Sequence, residues 1–205
     1  MDIRVEAIDK SFDGRKVLDH FSCRFIEGQT TCIMGESGCG KTTLLRILLG
    51  LETADAGTVS EIPKDRISAV FQENRLCENL SAAANIRLVC REHLSEDMIN
   101  AAFGAVCLND VSQKPVRLLS GGMKRRVSIL RALIAKADYI FMDEPLKGLD
   151  THTKLQTAAY IREKTKGKTL IVVTHDTADI ELLKAAHVVR MTEGVFHDTK
   201  DNRAF

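Results

Sequence analysis

One segment near the beginning of the chain restricts the possible folds more than any other part of the sequence. Residues 35–43 read GESGCGKTT and follow the pattern G-x-x-x-x-G-K-[ST] of a phosphate-binding loop. A strand-like run at 30–34 precedes this loop, and a helix-like run at 44–49 follows it. Chance matches to the pattern rarely have this strand–loop–helix context. The sequence therefore predicts a nucleotide-binding loop, and the alternative is an ordinary glycine-rich turn.

The residue types in this loop suit phosphate binding. Glycines let the chain turn tightly, so that main-chain N–H groups converge on phosphate oxygens at the positive end of the following helix. Lys41 is expected to reach the β- and γ-phosphates of the nucleotide, and the Thr42 hydroxyl is expected to bind Mg²⁺. The nucleotide-binding residues predicted in this segment are Gly35, Glu36, Ser37, Gly38, Cys39, Gly40, Lys41, Thr42 and Thr43.

Composition narrows the class of protein further. The chain has 205 residues, 44% of them apolar, which suffices for one compact domain, and its net charge of +1 gives no reason to expect a nucleic acid as partner. The densest basic cluster, 124–126, is interpreted as a solvated helix face. The six cysteines show no metal-binding spacing and are expected to be reduced thiols of a cytosolic protein. No apolar run approaches the roughly 18 residues of a membrane-spanning helix.

Alternating strand-like and helix-like segments predict a mostly parallel sheet. The strand-like runs are 2–8, 17–18, 21–26, 67–71, 139–142 and 170–173, and the helical patterns of the core are 120–136 and 153–166. Between about 78 and 118 the sequence is helix-prone, and Ser95 is the expected N-cap of the second helix there. We therefore predict a single domain over 1–205. Its α/β core comprises 1–77 and 126–205, and 78–125 form an inserted helical subdomain.

Two acidic residues follow one of the apolar strand-like runs. Residues 139–142 (YIFM) end at Asp143 and Glu144. A carboxylate at the C-terminal end of such a strand can face a phosphate-binding loop and hold Mg²⁺, usually through water. Asp143 is therefore a predicted metal ligand, and Glu144 is predicted to polarise the water that attacks the γ-phosphate. The alternative is an acidic turn before Pro145.

The segment 119–123 (LSGGM), called here the signature segment, makes the assignment specific. With this segment placed between the loop and the acidic pair, the chain resembles the ATPase subunits of ATP-binding-cassette (ABC) transporters. The resemblance covers nearly the whole chain. It implies an α/β fold with a P-loop (RecA-like), mostly parallel sheet core, an N-terminal antiparallel β element and an inserted helical subdomain. The family landmarks occur in family order: Phe12, 35–43, Gln72, 119–123, Asp143 with Glu144, 148–150 and His175.

The resemblance also implies roles for individual residues. Phe12 would stack on the adenine ring, and Val17 and Asp150 would contribute to nucleotide binding. Two further sets have chemical roles: the catalytic residues would be Lys41, Gln72, Glu144 and His175, and the metal ligands Thr42, Gln72 and Asp143. The signature residues Ser120, Gly121 and Gly122 begin a helix, whose N–H groups would bind the γ-phosphate of ATP held by a second subunit. The implied assembly is an ATP-dependent head-to-tail homodimer.

Two positions depart from the family pattern. Met123 stands where Gln is usual, so one polar contact to the partner-bound nucleotide is missing. Lys147 and Gly148 replace a more common pair of small residues, so the loop that crosses between subunits is expected to differ in detail.

The function implied by the resemblance is ATP hydrolysis that powers a membrane transporter, with ATP and Mg²⁺ as cofactors. The segment 71–76 is similar to that of bacterial importer ATPases for nitrate, sulfonate, taurine and thiamine. The expected partners are transmembrane permease subunits, with or without an extracytoplasmic solute-binding protein, on the inner face of the cell membrane.

Three alternatives remain at this stage. One is the ATPase of a lipoprotein- or macrolide-type exporter. Another is a soluble ABC ATPase acting on nucleic acid or ribosomes, although such relatives usually carry a second cassette, coiled coils or zinc modules. A small-molecule kinase with a phosphate-binding loop is disfavoured by the signature segment and the acidic pair.

Overall fold

Two β-sheets form the framework of the chain, which the computed structural model describes over residues 1–90, 94–192 and, for the backbone, 195–198. The strands are β1 (Ile3–Phe12), β2 (Arg15–Phe25), β3 (Thr30–Gly35), β4 (Ala56–Val59), β5 (Ile67–Val70), β6 (Tyr139–Asp143), β7 (Thr169–Val173), β8 (His187–Thr192) and β9 (Val195–Asp198). The helices are α1 (Lys41–Leu48), α2 (Ala82–Arg87), α3 (Glu96–Ala105), α4 (Gly121–Ile134), α5 (Thr151–Lys164) and α6 (Thr177–Leu183).

The larger sheet has six strands in the order β5-β6-β7-β3-β8-β9. Its first five strands are parallel, and β9 pairs antiparallel with β8. The smaller sheet is antiparallel, with the order β2-β1-β4. This arrangement confirms the predicted α/β fold, with a mostly parallel core and an N-terminal antiparallel element. Strand β3 leads through the glycine-rich loop directly into α1, as residues 35–43 predict.

The central strands are buried on both faces, and alternate side chains enter two different cores. On β6, Ile140 and Met142 pack in the cluster that contains the helical insertion and α4. Phe141, between them, packs in the cluster beneath the antiparallel sheet and α1. Strand β7 repeats this alternation, with Leu170 on the first side and Ile171 on the second. Strand periodicity thus fixes the β6 C-terminus, where Asp143 and Glu144 lie, between two packed layers.

Helix boundaries follow their capping residues. Ser120 accepts a hydrogen bond from the Met123 N–H at 3.3 Å and begins α4, and Ser95 caps α3 in the same way. The helix predicted over 153–166 instead covers Thr151–Lys164, because the Asp150 carboxylate accepts from the Thr153 N–H at 3.0 Å. The helix ends at Lys164 with Thr165 as its C-cap, before the predicted end at Gly167, and Gly167 has a positive φ of 75° in the turn that follows.

The helix-prone region contains α2, α3 and a 3-10 turn at Val116–Leu118, packed around one apolar cluster. Within its described residues, it holds none of the named strands. The boundary placed between 125 and 126 falls inside α4, which runs without interruption from Gly121 to Ile134. Helix continuity does not define a boundary at this position, so the limits of the helical subdomain remain a prediction.

One sequence interpretation is wrong, and another is confirmed with an addition. The runs 17–18 and 21–26 are strand as predicted, but both belong to β2, whose pairing with β1 is irregular and whose His20 has a positive φ of 46°. This irregularity breaks the alternation by which a strand is recognised. The basic cluster 124–126 is not a solvated face, because Arg125 is only 6% and Arg126 only 9% exposed. Both guanidinium groups bind main-chain oxygens inside the protein, which local sequence cannot reveal.

Candidate functional site

A cavity of about 560 Å³ opens at the C-terminal ends of β3, β6 and β7, beside the glycine-rich loop. Ligands of open α/β sheets usually bind at this edge. The cavity is large enough for a nucleotide's phosphate chain and lined by most of the predicted site. The lining residues are Val17, Gly35, Glu36, Ser37, Gly38, Gly40, Lys41, Thr42, Thr43, Gln72, Asp143, Glu144, Lys147, Val173 and His175.

Lys41 is buried at the base of this loop, with 8% of its surface exposed. Its ammonium group donates to the main-chain oxygens of Gly35 at 2.8 Å and Glu36 at 2.6 Å. These contacts compensate the buried charge of the ammonium group. Phosphate oxygens are stronger partners for an ammonium group than main-chain carbonyls are, so Lys41 fits a role in phosphate binding.

The neighbouring hydroxyl points at the acidic strand end. Thr42 Oγ1 donates to Asp143 Oδ2 at 3.0 Å. Burial raises the pKa of Asp143, and the hydrogen bond from Thr42 only partly opposes this effect. A hydroxyl and a buried carboxylate side by side form the hard-oxygen donor set that Mg²⁺ prefers. A divalent cation would also compensate the buried negative charge, so these two residues fit a magnesium site.

Glu144 is held by two basic side chains. His175 Nδ1 lies 2.8 Å from Glu144 Oε1, and Lys147 forms an ion pair with Oε2. Burial alone would raise the pKa of Glu144, but the hydrogen bonds from Lys147 and His175 lower it below its ordinary value. The group is therefore a carboxylate at neutral pH, able to accept a hydrogen bond from water.

The backbone of Glu144 is unusual for a residue with a side chain. Its φ is +48°, in the left-handed region. The Glu144 N–H donates to the Val173 carbonyl at 2.8 Å, which ties this turn to the end of β7. Strained backbone of this kind occurs at active sites where the surroundings hold it in place.

A polar network beneath His175 was not predicted from the sequence. Thr174 Oγ1 donates to the buried Asp179 at 2.6 Å, and Lys154 Nζ lies 2.7 Å from the same carboxylate. Lys154 also pairs with Asp176, the N-cap of α6. The network joins α5 to the loop that carries His175. The sequence offers one signal for this network, which is Asp176 at a position typical of a helix N-cap. Its partner Lys154 on α5 cannot be predicted from sequence spacing.

Several predicted ATP-binding residues lie outside the lining of this cavity. Phe12 is 43% exposed, and its ring lies 5.0 Å from Lys10 Nζ. The Cys39 thiol packs against the core below the loop, and the Asp150 carboxylate caps α5. The signature residues Ser120, Gly121 and Gly122 begin α4 away from the cavity, where Ser120 and Gly121 are exposed. The start of α4 is therefore accessible to a second molecule, but it does not line the cavity of its own chain and cannot contact a nucleotide bound there.

Comparison with known proteins settles the family. The sequence profile described as ABC transporter matches residues 18–147. The chain belongs to the ABC transporter family. It is an ABC ATPase, as the loop, the signature segment and the acidic pair predict.

The curated relatives described here are import ATP-binding proteins of bacteria. The chain is 36% identical over 200 residues to the aliphatic sulfonates import ATP-binding protein SsuB of Yersinia pestis, covering 94% of this chain and 73% of that protein. It is 32% identical over 209 residues to the spermidine/putrescine import ATP-binding protein PotA of Aliivibrio fischeri, covering 94% of this chain and 56% of that protein. The family relationship therefore extends well beyond the phosphate-binding loop.

Solved structures confirm the fold. A dimeric bacterial ABC transporter cassette has a TM-score of 0.86 and 25% identity, covering 99% of this chain and all of that chain (100%). A dimeric cassette in a post-hydrolysis state with ADP and phosphate has a TM-score of 0.84 at 24% identity and 99% coverage of this chain. Among the residues that the structure describes, no helix is both long and apolar enough to cross a membrane.

Proposed function

We propose that this chain is the ATP-hydrolysing subunit of a bacterial ABC importer. The observation that supports it most strongly is the convergence of Lys41, Thr42, Asp143, Glu144 and His175 around one cavity. These residues come from three separate segments of the sequence, and each supplies a group that phosphoryl transfer to water requires.

Phosphate binding begins with the loop. On nucleotide binding, the Lys41 ammonium exchanges the carbonyls of Gly35 and Glu36 for the β- and γ-phosphate oxygens. Main-chain N–H groups of 35–42 at the start of α1 add further positive potential. Thr42 and Asp143 would hold Mg²⁺, with Gln72 as a further ligand, and the ion would neutralise charge on the phosphate oxygens.

Hydrolysis requires an oriented water molecule. Glu144 is ionised and lies at the cavity wall, so its carboxylate accepts a hydrogen bond from the water that attacks the γ-phosphorus. The bond from that phosphorus to the β-γ bridging oxygen breaks, and ADP leaves. His175 and Gln72 orient the γ-phosphate and the water, and Lys41 stabilises the developing charge.

A second copy of the chain completes the site. The start of α4 carries Ser120, Gly121 and Gly122, and the first N–H groups of a helix have no partner within the helix. Two chains in head-to-tail arrangement would place these groups on the γ-phosphate bound by the partner, with Phe12 and Val17 against the base. Dimeric cassettes among the related structures support this assembly.

The membrane partners follow from the relatives. Both SsuB and PotA are named as import ATP-binding proteins, so we assign import rather than export to this chain. Transmembrane permease subunits would hold the ATPase on the cytoplasmic face of the membrane, and an extracytoplasmic solute-binding protein would deliver the solute. The soluble ABC ATPases of DNA repair or translation have no counterpart among these two relatives.

Phosphate release from ATP tests the enzymatic part of the proposal. The purified chain should hydrolyse ATP with Mg²⁺ and stop in EDTA, and Lys41→Ala should lose both binding and hydrolysis. Release that is unaffected by EDTA or by the substitution would contradict it. Affinity purification from solubilised membranes tests the transport part, since permease subunits should copurify. Recovery of ribosomes or nucleic acid instead would favour a soluble ABC ATPase.

A further inference from the structure

Helix α4 carries two adjacent buried arginines, Arg125 and Arg126, which contact different parts of the protein. Arg126 donates to the main-chain oxygens of Val106 at 2.8 Å and Cys107 at 2.7 Å, within the helical insertion. Arg125 points the other way, into the catalytic core. The two side chains are comparably buried, so their difference lies in what each contacts.

Arg125 connects three features of the nucleotide site. One nitrogen, Nη2, donates to the main-chain oxygen of Asp143. The other, Nη1, donates to the main-chain oxygen of Phe71 and lies 3.3 Å from that of Gln72. A planar guanidinium can reach two backbone segments at once in fixed geometry, which a lysine ammonium cannot reproduce. Helix α4, called here the signature helix, is thereby linked to the end of β6 at Asp143 and to the segment that carries Gln72.

The peptide between Asp143 and Glu144 is fixed on both of its sides. Its carbonyl accepts from Arg125, and its N–H donates to the Val173 carbonyl at 2.8 Å. The plane of this peptide sets the φ of Glu144, which is +48° and thus in a region that side-chain-bearing residues avoid. Removal of one of the two hydrogen bonds would let the peptide rotate toward a less strained conformation and carry the Glu144 carboxylate with it.

We propose that Arg125 is a positioning residue for hydrolysis, which holds the Asp143–Glu144 peptide in place from the signature helix. This inference rests on the proposed function. Helix α4 begins at Ser120, and Arg125 lies about one turn further along it. Contact of the signature segment with a partner-bound nucleotide would therefore be transmitted to Glu144 through the first turn of α4 and the Arg125 guanidinium. Arg125 would thus link dimer closure to the placement of the attacking water.

Arg125→Met is the direct test, with Arg131→Met as the matched control. Arg131 lies on the same helix and donates to the main-chain oxygens of Arg75 at 2.8 Å and Asn74 at 3.4 Å, but not to Asp143. Arg125→Met should lower kcat by about tenfold or more with little change in the Kd for a fluorescent ATP analogue, since misplacement of a catalytic group chiefly affects the transition state. Arg131→Met should change kcat by less than about threefold.

A double-mutant cycle separates positioning from general loss of structure. If Arg125 acts through Glu144, then Arg125→Met should slow single-turnover hydrolysis by less than about twofold once Glu144 is already Gln. Arg125→Lys provides a second variant if Arg125→Met fails to fold, and it should also lose kcat because one ammonium cannot keep both contacts. Unfolding midpoints identify the folded variants.

Three results would overturn the inference while leaving the ATPase assignment intact. They are wild-type kcat in a folded Arg125→Met or Arg125→Lys variant, an equal loss in Arg131→Met, or a full additional loss in the Glu144→Gln background. Absence of ATP hydrolysis by the wild-type chain would instead contradict the proposed function.

Discussion

Two glycines of the phosphate-binding loop should respond differently to the same substitution. Gly38 and Gly40 both have positive φ, at 85° and 99°. A Cβ added at Gly38 would meet nothing within 4 Å, whereas one at Gly40 would lie 2.9 Å from the Val17 oxygen and 3.0 Å from Leu18 Cδ2. Gly38→Ala therefore tests backbone strain alone, and Gly40→Ala tests the same strain together with a steric overlap.

The magnitudes follow from these two terms. Left-handed backbone costs an alanine about 1–2 kcal/mol at either position. The overlap with Val17 and Leu18, a fully buried residue of the core beneath the loop, adds about 1–3 kcal/mol, as overpacking usually does. Gly40→Ala should thus lower the free energy of unfolding by about 2 kcal/mol more than Gly38→Ala. For a chain of this length, that difference corresponds to a Tm lower by about 4–8 °C.

Thermal and urea unfolding followed by circular dichroism would measure this difference. The protein should be free of nucleotide, so that effects on ATP binding do not enter the comparison. Equal midpoints for the two variants, or a lower midpoint for Gly38→Ala, would refute the argument that close packing of β2 against the loop requires glycine at position 40.

Three further predictions concern the site. Ser120→Arg should leave binding of a fluorescent ATP analogue within about twofold of wild type but abolish the increase of ATPase rate with protein concentration, because it alters only the face offered to a partner; concentration-dependent hydrolysis in this variant would contradict the head-to-tail dimer. Lys147→Met removes a donor that lowers the pKa of Glu144, so that pKa should rise and the acid limb of the kcat profile should move to higher pH, whereas Lys147→Arg should restore it; an unmoved limb would show that Lys147 does not act on Glu144. Maleimide should label Cys77, which is exposed, faster than Cys39, whose thiol packs against the core, as mass spectrometry can show; faster labelling of Cys39 would place its thiol in the cavity instead.

Local signals in the sequence predicted the segments that line this cavity. The loop 35–43 is recognisable because its glycines, lysine and threonine must follow one another along the chain. The runs 139–142 and 170–173 are apolar throughout because both faces of β6 and β7 are covered. Caps such as Ser95 and Ser120 act within three residues, so they too are visible in sequence.

The features of the site that the sequence did not predict depend on contacts between segments that are distant along the chain. Arg125 looks like part of a solvated basic cluster until the fold brings 71–74 against α4, and Phe71 is 54 residues away from Arg125 in sequence. Lys154 and Asp179 meet only because α5 packs beside α6. Strand β4 (AGTV) is short and largely exposed, so it has no apolar pattern by which it could be predicted.

The response of Glu144→Gln to ATP tests the central claim most directly. The amide keeps the shape of the carboxylate but loses the charge that orients water and binds His175 and Lys147. The variant should bind ATP, hydrolyse it at least about a hundredfold more slowly than wild type, and run as a dimer in gel filtration with ATP and Mg²⁺. With ADP, or with Ser120→Arg added, it should run as a monomer. Wild-type turnover by Glu144→Gln would contradict the assignment of Glu144 as the catalytic carboxylate of this ATPase.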